Sequence, residues 1–417
     1  MNTQSTAILV KVSVSSLIFL SLGLPSGTLV GIPVKHIAYL ICVVSLFVHW
    51  RKGAKINSVY ILLLVASFLF IIFFILVATL RAKTPFAYAF QEGMNFGTTL
   101  SISLFILMAN SCKAIKDEEI VLSAFYAIFF FSLWKFLAVF LITTGITSVN
   151  DVISFFSHYT GYMPLTLDMP GEYKRLTFML QDFASAFFLF LVPTYPRLFS
   201  KAPLFIRIIF MFTGLIAVVS GYSRYTFIIL AAFWSFAFLF KFSFKQRLLA
   251  CSIVAVIIAS SFPWLIEAYE FRFTSHLAVG SDKVRYEQTS ALLNHWENLP
   301  ILGGGFGYYA KDYVRLAYLY EVQWVSFLTK FGLIGISFLA ILVLLLFYKI
   351  LSGKKTIDHY AMAFALLSYL LSGFTNPLLL TSPSAILYVL PVILSSIFRK
   401  ELVESHANSS DCLHIRK

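Results

Sequence analysis

The chain has 417 residues, of which 59% are hydrophobic and only 12% are charged, and its formal net charge is +13. This composition excludes an ordinary soluble domain, in which about a quarter of the residues are charged. A nucleic-acid-binding face would be contiguous, whereas here the basic residues form short clusters between apolar runs, so no nucleic-acid partner is expected. We therefore predict an integral membrane protein surrounded by the lipid bilayer.

Apolar runs recur along the whole chain. The run over 58–80 contains no charged residue and is long enough to cross a bilayer as a helix. We predict an all-α fold with about twelve transmembrane helices, at 7–24, 29–50, 58–80, 88–110, 120–143, 176–195, 203–220, 224–243, 248–266, 325–348, 360–378 and 381–398. The first run lacks the small-residue cleavage pattern of a signal peptide, so we interpret it as a retained span.

Lysines and arginines are concentrated in the short loops on one side of this arrangement, which the positive-inside rule assigns to the cytoplasm. Both termini are then cytoplasmic. Residues 1–398 form one polytopic domain, and 399–417 form a polar tail that we predict to be disordered. Two long loops, 144–175 and 267–324, lie outside, and apolar spacing over 283–296 in the second predicts a helix on the outer surface.

Charged side chains inside spans are costly, and they usually pair, line a cavity or take part in chemistry. In the predicted topology nearly all such groups, with some from adjoining loops, gather on the outer side: Glu92, Arg175, Gln181, Asp182, Arg224, Arg285, Glu321, Lys330 and Asn376. Lys135 and Arg207 are interpreted as satisfied helix partners or as side chains that extend to the membrane interface. The histidines lack metal-ligand spacing and the cysteines form no CxxC pair, so no metal or other cofactor is predicted.

The stretch 281–335 is the densest in potential chemistry. It carries Arg285, Arg315 and Glu321 together with the glycine-rich segment Gly303-Gly304-Gly305-Phe306-Gly307. No strand precedes this segment and no Lys-Ser/Thr follows it, so it lacks the phosphate-binding fingerprint. Its simplest role is a turn, with backbone donation to an anion as the alternative.

Arginines on the outer face with nearby carboxylates suit a phosphorylated lipid held at the membrane surface. A guanidinium binds phosphate oxygens through two parallel hydrogen bonds and stays charged wherever it lies. Fixed guanidinium groups also stabilise the charge that develops on a diphosphate leaving group, and a shielded carboxylate can accept a proton from a sugar hydroxyl. The pattern fits a glycosyl transfer, and equally a transporter of an anion or a glycolipid.

Several stretches, chiefly within 175–378, resemble a known family when taken in their order along the chain. They are Arg175-Leu176-Thr177-Phe178 with Gln181-Asp182-Phe183-Ala184-Ser185-Ala186, Ser223-Arg224, Val284-Arg285 with Asn298-Leu299-Pro300-Ile301-Leu302-Gly303-Gly304-Gly305-Phe306-Gly307, Glu321 to Gly335, and Thr375-Asn376-Pro377. In these stretches the chain is similar to the superfamily of O-antigen polymerases (Wzy type) and O-antigen ligases (WaaL type) of the bacterial inner membrane. It has Glu321-Val322 where ligases carry His-Asn, and the acidic residue resembles the polymerases more closely.

The resemblance implies a metal-independent glycosyltransferase at the periplasmic face of the inner membrane. Its donor and acceptor would be undecaprenyl-diphosphate-linked glycans, which it would polymerise into O-antigen or capsular polysaccharide together with a chain-length regulator. By the same resemblance, Arg285 and Arg224 bind the diphosphate with support from Arg175, and Glu321 accepts the proton or orients the acceptor hydroxyl. The candidate catalytic residues are thus Glu321 and Arg285, and the candidate substrate-binding residues are Arg175, Arg224, Arg285, Arg315, Asp182 and Asn376.

Two alternatives remain open on the sequence. One is an O-antigen ligase that transfers finished polysaccharide to lipid A–core. The other is a glycolipid transporter or flippase, which normally carries polar groups at mid-membrane and on both sides and is often built from inverted repeats. The polar groups here favour the outer side and no repeat is evident, so a polymerase is the preferred interpretation.

Overall fold

The structure is a computed structural model that describes residues 3–168, 174–248, 251–252, 266–267, 270, 276–311, 313, 319–353 and 355–414. It is 78% helical and has almost no strand, which confirms the predicted all-α class. The helices are α1 (Thr3–Gly23), α2 (Val34–Arg51), α3 (Ser58–Leu76, continued by a π-helical turn Val77–Arg81), α4 (Phe86–Ser111), α5 (Asp117–Thr143), α6 (Val149–Thr160), α7 (Met179–Thr194), α8 (Leu204–Ser220), α9 (Arg224–Phe240), α10 (His276–Glu297), α11 (Gln323–Leu351), α12 (Ile357–Leu371) and α13 (Ser382–His414).

Among the described residues, five helices are long and apolar enough to cross a membrane: α1, α2, α3 with its π-helical turn, α5 and α11. The helices α7, α8 and α9 are apolar but shorter. The protein is thus a membrane protein by the length and composition of its helices. A helix lies at every predicted span except the ninth, 248–266, most of which is outside the described residues. The number of crossings stays a prediction.

The outer loop predicted over 144–175 contains secondary structure that the sequence interpretation missed. Helix α6 begins where the Ser148 hydroxyl accepts a hydrogen bond from the Asp151 amide and the Asp151 carboxylate accepts one from the Ser148 amide, a reciprocal cap. It ends at Gly161, whose φ of 66° is left-handed. Strands β1 (Leu165–Asp168) and β2 (Lys174–Thr177) then form an antiparallel hairpin.

The structure also decides two further predictions, one for the helix over 283–296 and one for the C-terminal tail. The helix predicted over 283–296 is present and is longer, because α10 covers His276–Glu297. The tail predicted to be disordered is instead helical as far as His414. That prediction was wrong because no glycine or proline interrupts the chain between Pro391 and His414, so the last span continues as a helix.

The chain divides into two compact units. The first comprises Met1–Ile18, Tyr39–Ser123 and Leu292–Lys417, and the second comprises Phe19–Ala38 and Ala124–Ala291. In the second unit α7 is the most buried element, since every residue from Leu180 to Val192 is buried.

Large aromatic side chains surround α7 in the second unit. Phe188 lies against Phe125 of α5 with ring centroids 6.1 Å apart, and Phe187 and Phe190 lie against Phe233 of α9 at 5.7 and 5.2 Å. Helix α8 packs along another side of α7. Because α7 is fixed on these sides, the residues at its beginning have defined positions next to the turn between α8 and α9.

In the first unit α4 packs against α3 and α13, and α11 is a broken helix. Gly332 has φ 55° and ψ −164°, a non-helical conformation that interrupts the hydrogen-bond ladder of α11. A break of this kind leaves amides and carbonyls without helical partners, which is costly where water is excluded.

Residues 300–305, which end in the first three glycines of the glycine-rich segment, supply the missing partners. The Leu333 and Ile334 amides donate to the Pro300 and Ile301 carbonyls at 2.9 and 3.1 Å. In return the Gly304 and Gly305 amides donate to the Thr329 and Lys330 carbonyls at 3.1 and 2.6 Å. The segment is therefore a backbone patch on a discontinuous helix, a more specific role than the predicted turn.

This patch requires glycine because the main chains approach closely. A Cβ on Gly303 would lie 2.4 Å from the Lys330 carbonyl, and one on Gly305 would lie 2.4 Å from the Ala78 amide nitrogen and the Phe74 carbonyl oxygen. Phe306, which follows Gly305, inserts its ring into an aromatic cluster, with centroids 4.8 Å from Phe331 and 5.4 Å from Phe96.

We expect Gly305→Ala to prevent stable folding of the first unit, because the added methyl group meets main-chain atoms that have no room to move. Gly31→Ala is a matched control: Gly31 has φ +76° against +78° for Gly305, yet nothing lies within 4 Å of its added Cβ. The control should lose only about 1–2 kcal/mol from the left-handed backbone. Yield and thermal unfolding of the detergent-purified variants measure both effects, and equal losses would contradict the close-packing explanation.

Candidate functional site

Three arginines that are far apart in sequence come together in the second unit. Arg175 lies in β2, Arg224 is the first residue of α9, and Arg285 lies in α10. The Arg175 guanidinium is close enough to Arg224 and Arg285 for their charges to act on its pKa. We call these three residues the arginine cluster, and all three were predicted to bind substrate.

A carboxylate bridges two members of the arginine cluster. Asp282 accepts hydrogen bonds from both terminal nitrogens of Arg224, at 2.7 Å from Nη2 to Oδ1 and 3.1 Å from Nη1 to Oδ2. Its Oδ1 also accepts from Arg285 Nη1 at 2.9 Å. Two guanidinium groups thus converge on one oxyanion in the forked arrangement that arginine uses for carboxylates and phosphates.

The turn between α8 and α9 fixes Arg175 and Arg224. The Gly221 carbonyl accepts from Arg175 Nε and from the Thr177 hydroxyl, each at 2.8 Å. Ser223 then caps α9, its hydroxyl accepting from the Thr226 amide at 3.4 Å. Arg224 therefore stands at the amino end of a 17-residue helix, whose macrodipole also favours an anion at this end.

A fully buried ion pair supports this turn. Lys135 Nζ lies 2.7 Å from Asp182 Oδ1, both side chains are 0% exposed, and Lys135 also donates to the Ala217 carbonyl near the end of α8 at 2.6 Å. Asp182 Oδ2 accepts from the Phe178 amide at 3.0 Å, and a Cβ on Gly221 would lie 2.6 Å from the same oxygen. The position of Asp182, predicted to bind substrate, thus favours support of the turn over contact with a ligand.

The charges of the cluster act on one another. Burial lowers the pKa of the Arg175 guanidinium; the Asp182 carboxylate opposes this, and the neighbouring Arg224 and Arg285 add to it. Arginine nevertheless remains a cation at neutral pH. The hydrogen bond from Arg224 holds the pKa of Asp282 below its usual range. Asp282 is therefore ionised at neutral pH, and its negative charge is lost only in acid.

The remaining predicted site residues are not part of the arginine cluster. Glu321 and Asn376 belong to the first unit. Glu321 is half-buried and lies two residues before α11, and the Asn376 amide group donates to the Thr375 hydroxyl at 3.0 Å. Arg315 lies outside the described residues.

A second buried ion pair lies in the first unit, beside the broken helix. Lys330 Nζ is 2.6 Å from Glu92 Oε1, and Glu92 Oε2 accepts from the Gly307 amide at 2.6 Å. The anion that the glycine-rich segment binds is therefore a carboxylate of the protein. Tyr320, whose hydroxyl accepts from the Ala310 amide at 2.8 Å, lies near this pair, and burial raises its pKa to about 12.

Sequence reasoning missed two residues that shape the cluster. Asp282 was not among the predicted site residues, although its spacing of three from Arg285 at the start of a predicted helix is a signal for pairing. One of the two roles predicted for Lys135, a satisfied helix partner, is correct, but its partner was not identified. Lys135 and Asp182 lie on different helices, and a pair of this kind leaves no periodic pattern in a single sequence.

No protein-family model and no curated protein matches this chain. Within the part of the chain that the structure describes, no group of three or more histidine, cysteine, aspartate or glutamate side chains is placed to hold a metal ion.

We expect Lys135→Met and Asp182→Asn each to destabilise the second unit by about 3–5 kcal/mol, because each leaves an unpaired buried charge. The double variant removes both charges while Asn keeps an acceptor for the Phe178 amide, so it should regain much of the lost stability. Thermal unfolding in detergent gives the double-mutant cycle. Additive losses would show that the two side chains do not stabilise each other.

Proposed function

We propose that the protein polymerises undecaprenyl-diphosphate-linked oligosaccharide repeat units into O-antigen or capsular polysaccharide at the periplasmic face of a bacterial inner membrane. The observation that carries the proposal is the convergence of Arg224 and Arg285 on one oxyanion beside Arg175. A diphosphate offers oxygens at the same kind of spacing, and three neighbouring cations favour its negative charge. The resemblance of the sequence to O-antigen polymerases supports the same substrate.

The reaction forms one glycosidic bond and breaks one bond to phosphate. A hydroxyl at the non-reducing end of a new lipid-linked repeat attacks the anomeric carbon of the growing chain. The bond from that carbon to the diphosphate oxygen breaks, and undecaprenyl diphosphate leaves with the electron pair. The guanidinium groups stabilise its negative charge, and the hydroxyl proton goes to a carboxylate, for which the resemblance favours Glu321.

Polymerase is preferred to ligase because Glu321-Val322 stands where ligases carry His-Asn. A glycolipid transporter is the alternative of a different class, and phosphate binding by the arginine cluster would suit it too. The glycans of cells that lack the protein distinguish these functions. Without a polymerase, lipid A–core carries single repeats, and without a ligase it carries no repeat unit. A transporter, in contrast, forms no glycosidic bond.

We expect Arg285→Ala and Arg224→Ala each to abolish long-chain polysaccharide, because each removes a fixed cation from the leaving diphosphate. Loss of one such group typically costs about 10²–10³ in rate. Complementation of a deletion strain, followed by gel analysis of glycan chain length, measures the effect, with immunoblotting to show that the variant is in the membrane.

Lys283→Ala is the matched control, since Lys283 is an exposed cation of the same helix that pairs with Glu287 at 3.9 Å. It should give the normal ladder of chain lengths. A normal ladder from Arg285→Ala or Arg224→Ala would overturn the diphosphate-binding role.

We expect Glu321→Gln to lower polymer synthesis by about 10²–10⁴-fold if its carboxylate accepts the proton, because glutamine keeps the shape of the side chain and cannot take up a proton. Glu297→Gln, which removes an exposed carboxylate at the end of α10, is the control. The rate of polymer formation in membranes supplied with the lipid-linked repeat is the measurement. Wild-type rates from Glu321→Gln would assign this carboxylate a structural role.

A further inference from the structure

The anion that occupies the arginine cluster is a side chain of the protein itself. Asp282 is 58% exposed, so it is held in place mainly by Arg224 and Arg285 and only slightly by packing. It engages both Nη atoms of Arg224, which are the atoms that a phosphate group would use. A diphosphate therefore cannot form the same end-on forked contact with Arg224 while Asp282 stays where it is.

We propose that Asp282 is a tethered competitor that sets the affinity of the arginine cluster for its anion. The carboxylate holds the two guanidinium groups together when the cluster has no ligand, leaves when a diphosphate binds, and returns when the diphosphate product departs. This inference rests on the proposed function of the cluster as a diphosphate site.

The position of Asp282 allows it to leave at low cost. Asp282 and Arg285 are three residues apart on α10, on the same helix face, so rotation about the side-chain bonds of Asp282 is enough to free the fork. Asp282 is 58% exposed, so water solvates its carboxylate when it leaves, and this keeps the cost of breaking the ion pairs low. Arg175, by contrast, is anchored through Nε to the Gly221 carbonyl and stays in place whichever anion is bound.

A tethered competitor has a defined thermodynamic effect. The apparent affinity for any anion equals the intrinsic affinity multiplied by the fraction of molecules in which the fork is free. Removing the competitor raises the affinity for the diphosphate substrate and for the diphosphate product alike. A variant without this carboxylate should therefore have a lower KM for the donor and, where release of the product limits turnover, a lower kcat.

The test measures binding of inorganic pyrophosphate to the purified full-length protein by calorimetry. We expect Asp282→Asn and Asp282→Ser to lower the Kd about three- to fivefold, the upper part of the range for loss of an exposed ion pair. Glu287→Gln is the control, because it removes the same charge from the same helix without touching the cluster, and it should change the Kd less than about twofold. Thermal unfolding establishes that each variant is folded.

The outcomes separate this inference from the proposed function. In one outcome, Arg224→Ala and Arg285→Ala weaken pyrophosphate binding, and both Asp282 variants weaken it or leave it unchanged. The carboxylate then organises the site, and the competitor inference fails while the proposed function stands. An equal gain from Glu287→Gln also overturns it, since the effect is then only general charge. If the unaltered protein does not bind pyrophosphate, or if the two arginine variants bind it as well as the unaltered protein does, both proposals fail.

Discussion

Polar groups that lie away from water must find partners within the protein, and this constraint shapes each of the compact units. In the second unit the pair of Lys135 and Asp182, neither exposed, joins α5, α7 and the end of α8. In the first unit Glu92 and Lys330 join α4 to the broken helix α11. Each pair also bonds a main-chain group, so the ion pairs hold turns as well as helices.

The arginine cluster depends on the first of these pairs. Asp182 lies against Gly221, the Gly221 carbonyl holds Arg175, and two residues later Ser223 caps the helix that begins with Arg224. Guanidinium groups repel one another, so a cluster of them needs both rigid anchoring and a nearby anion. The buried pair provides the anchoring and Asp282 provides the anion, which makes a site ready for a more highly charged ligand.

The all-α fold class and part of the candidate site could be predicted from the sequence. Apolar runs specify helices directly, and the positions of Arg175, Arg224 and Arg285 followed from the costs of charge near a membrane and from the family resemblance. The capped helix α6 was missed because its cap uses Ser148 and Asp151, a short pattern within a polar loop. The role of the glycine-rich segment was missed because its partners, such as the Lys330 carbonyl, are main-chain atoms that carry no sequence signal.

The break at Gly332 has a consequence for how the protein is made. The Pro300 and Ile301 carbonyls that satisfy the Leu333 and Ile334 amides are synthesised before the second half of α11. The partners of the broken helix are thus already available when it emerges from the ribosome, and the loop that must close holds 31 residues between Ile301 and Leu333. A chain in which Pro300 and Ile301 followed the helix would expose unsatisfied amides to lipid for longer, so the order along the chain favours productive insertion.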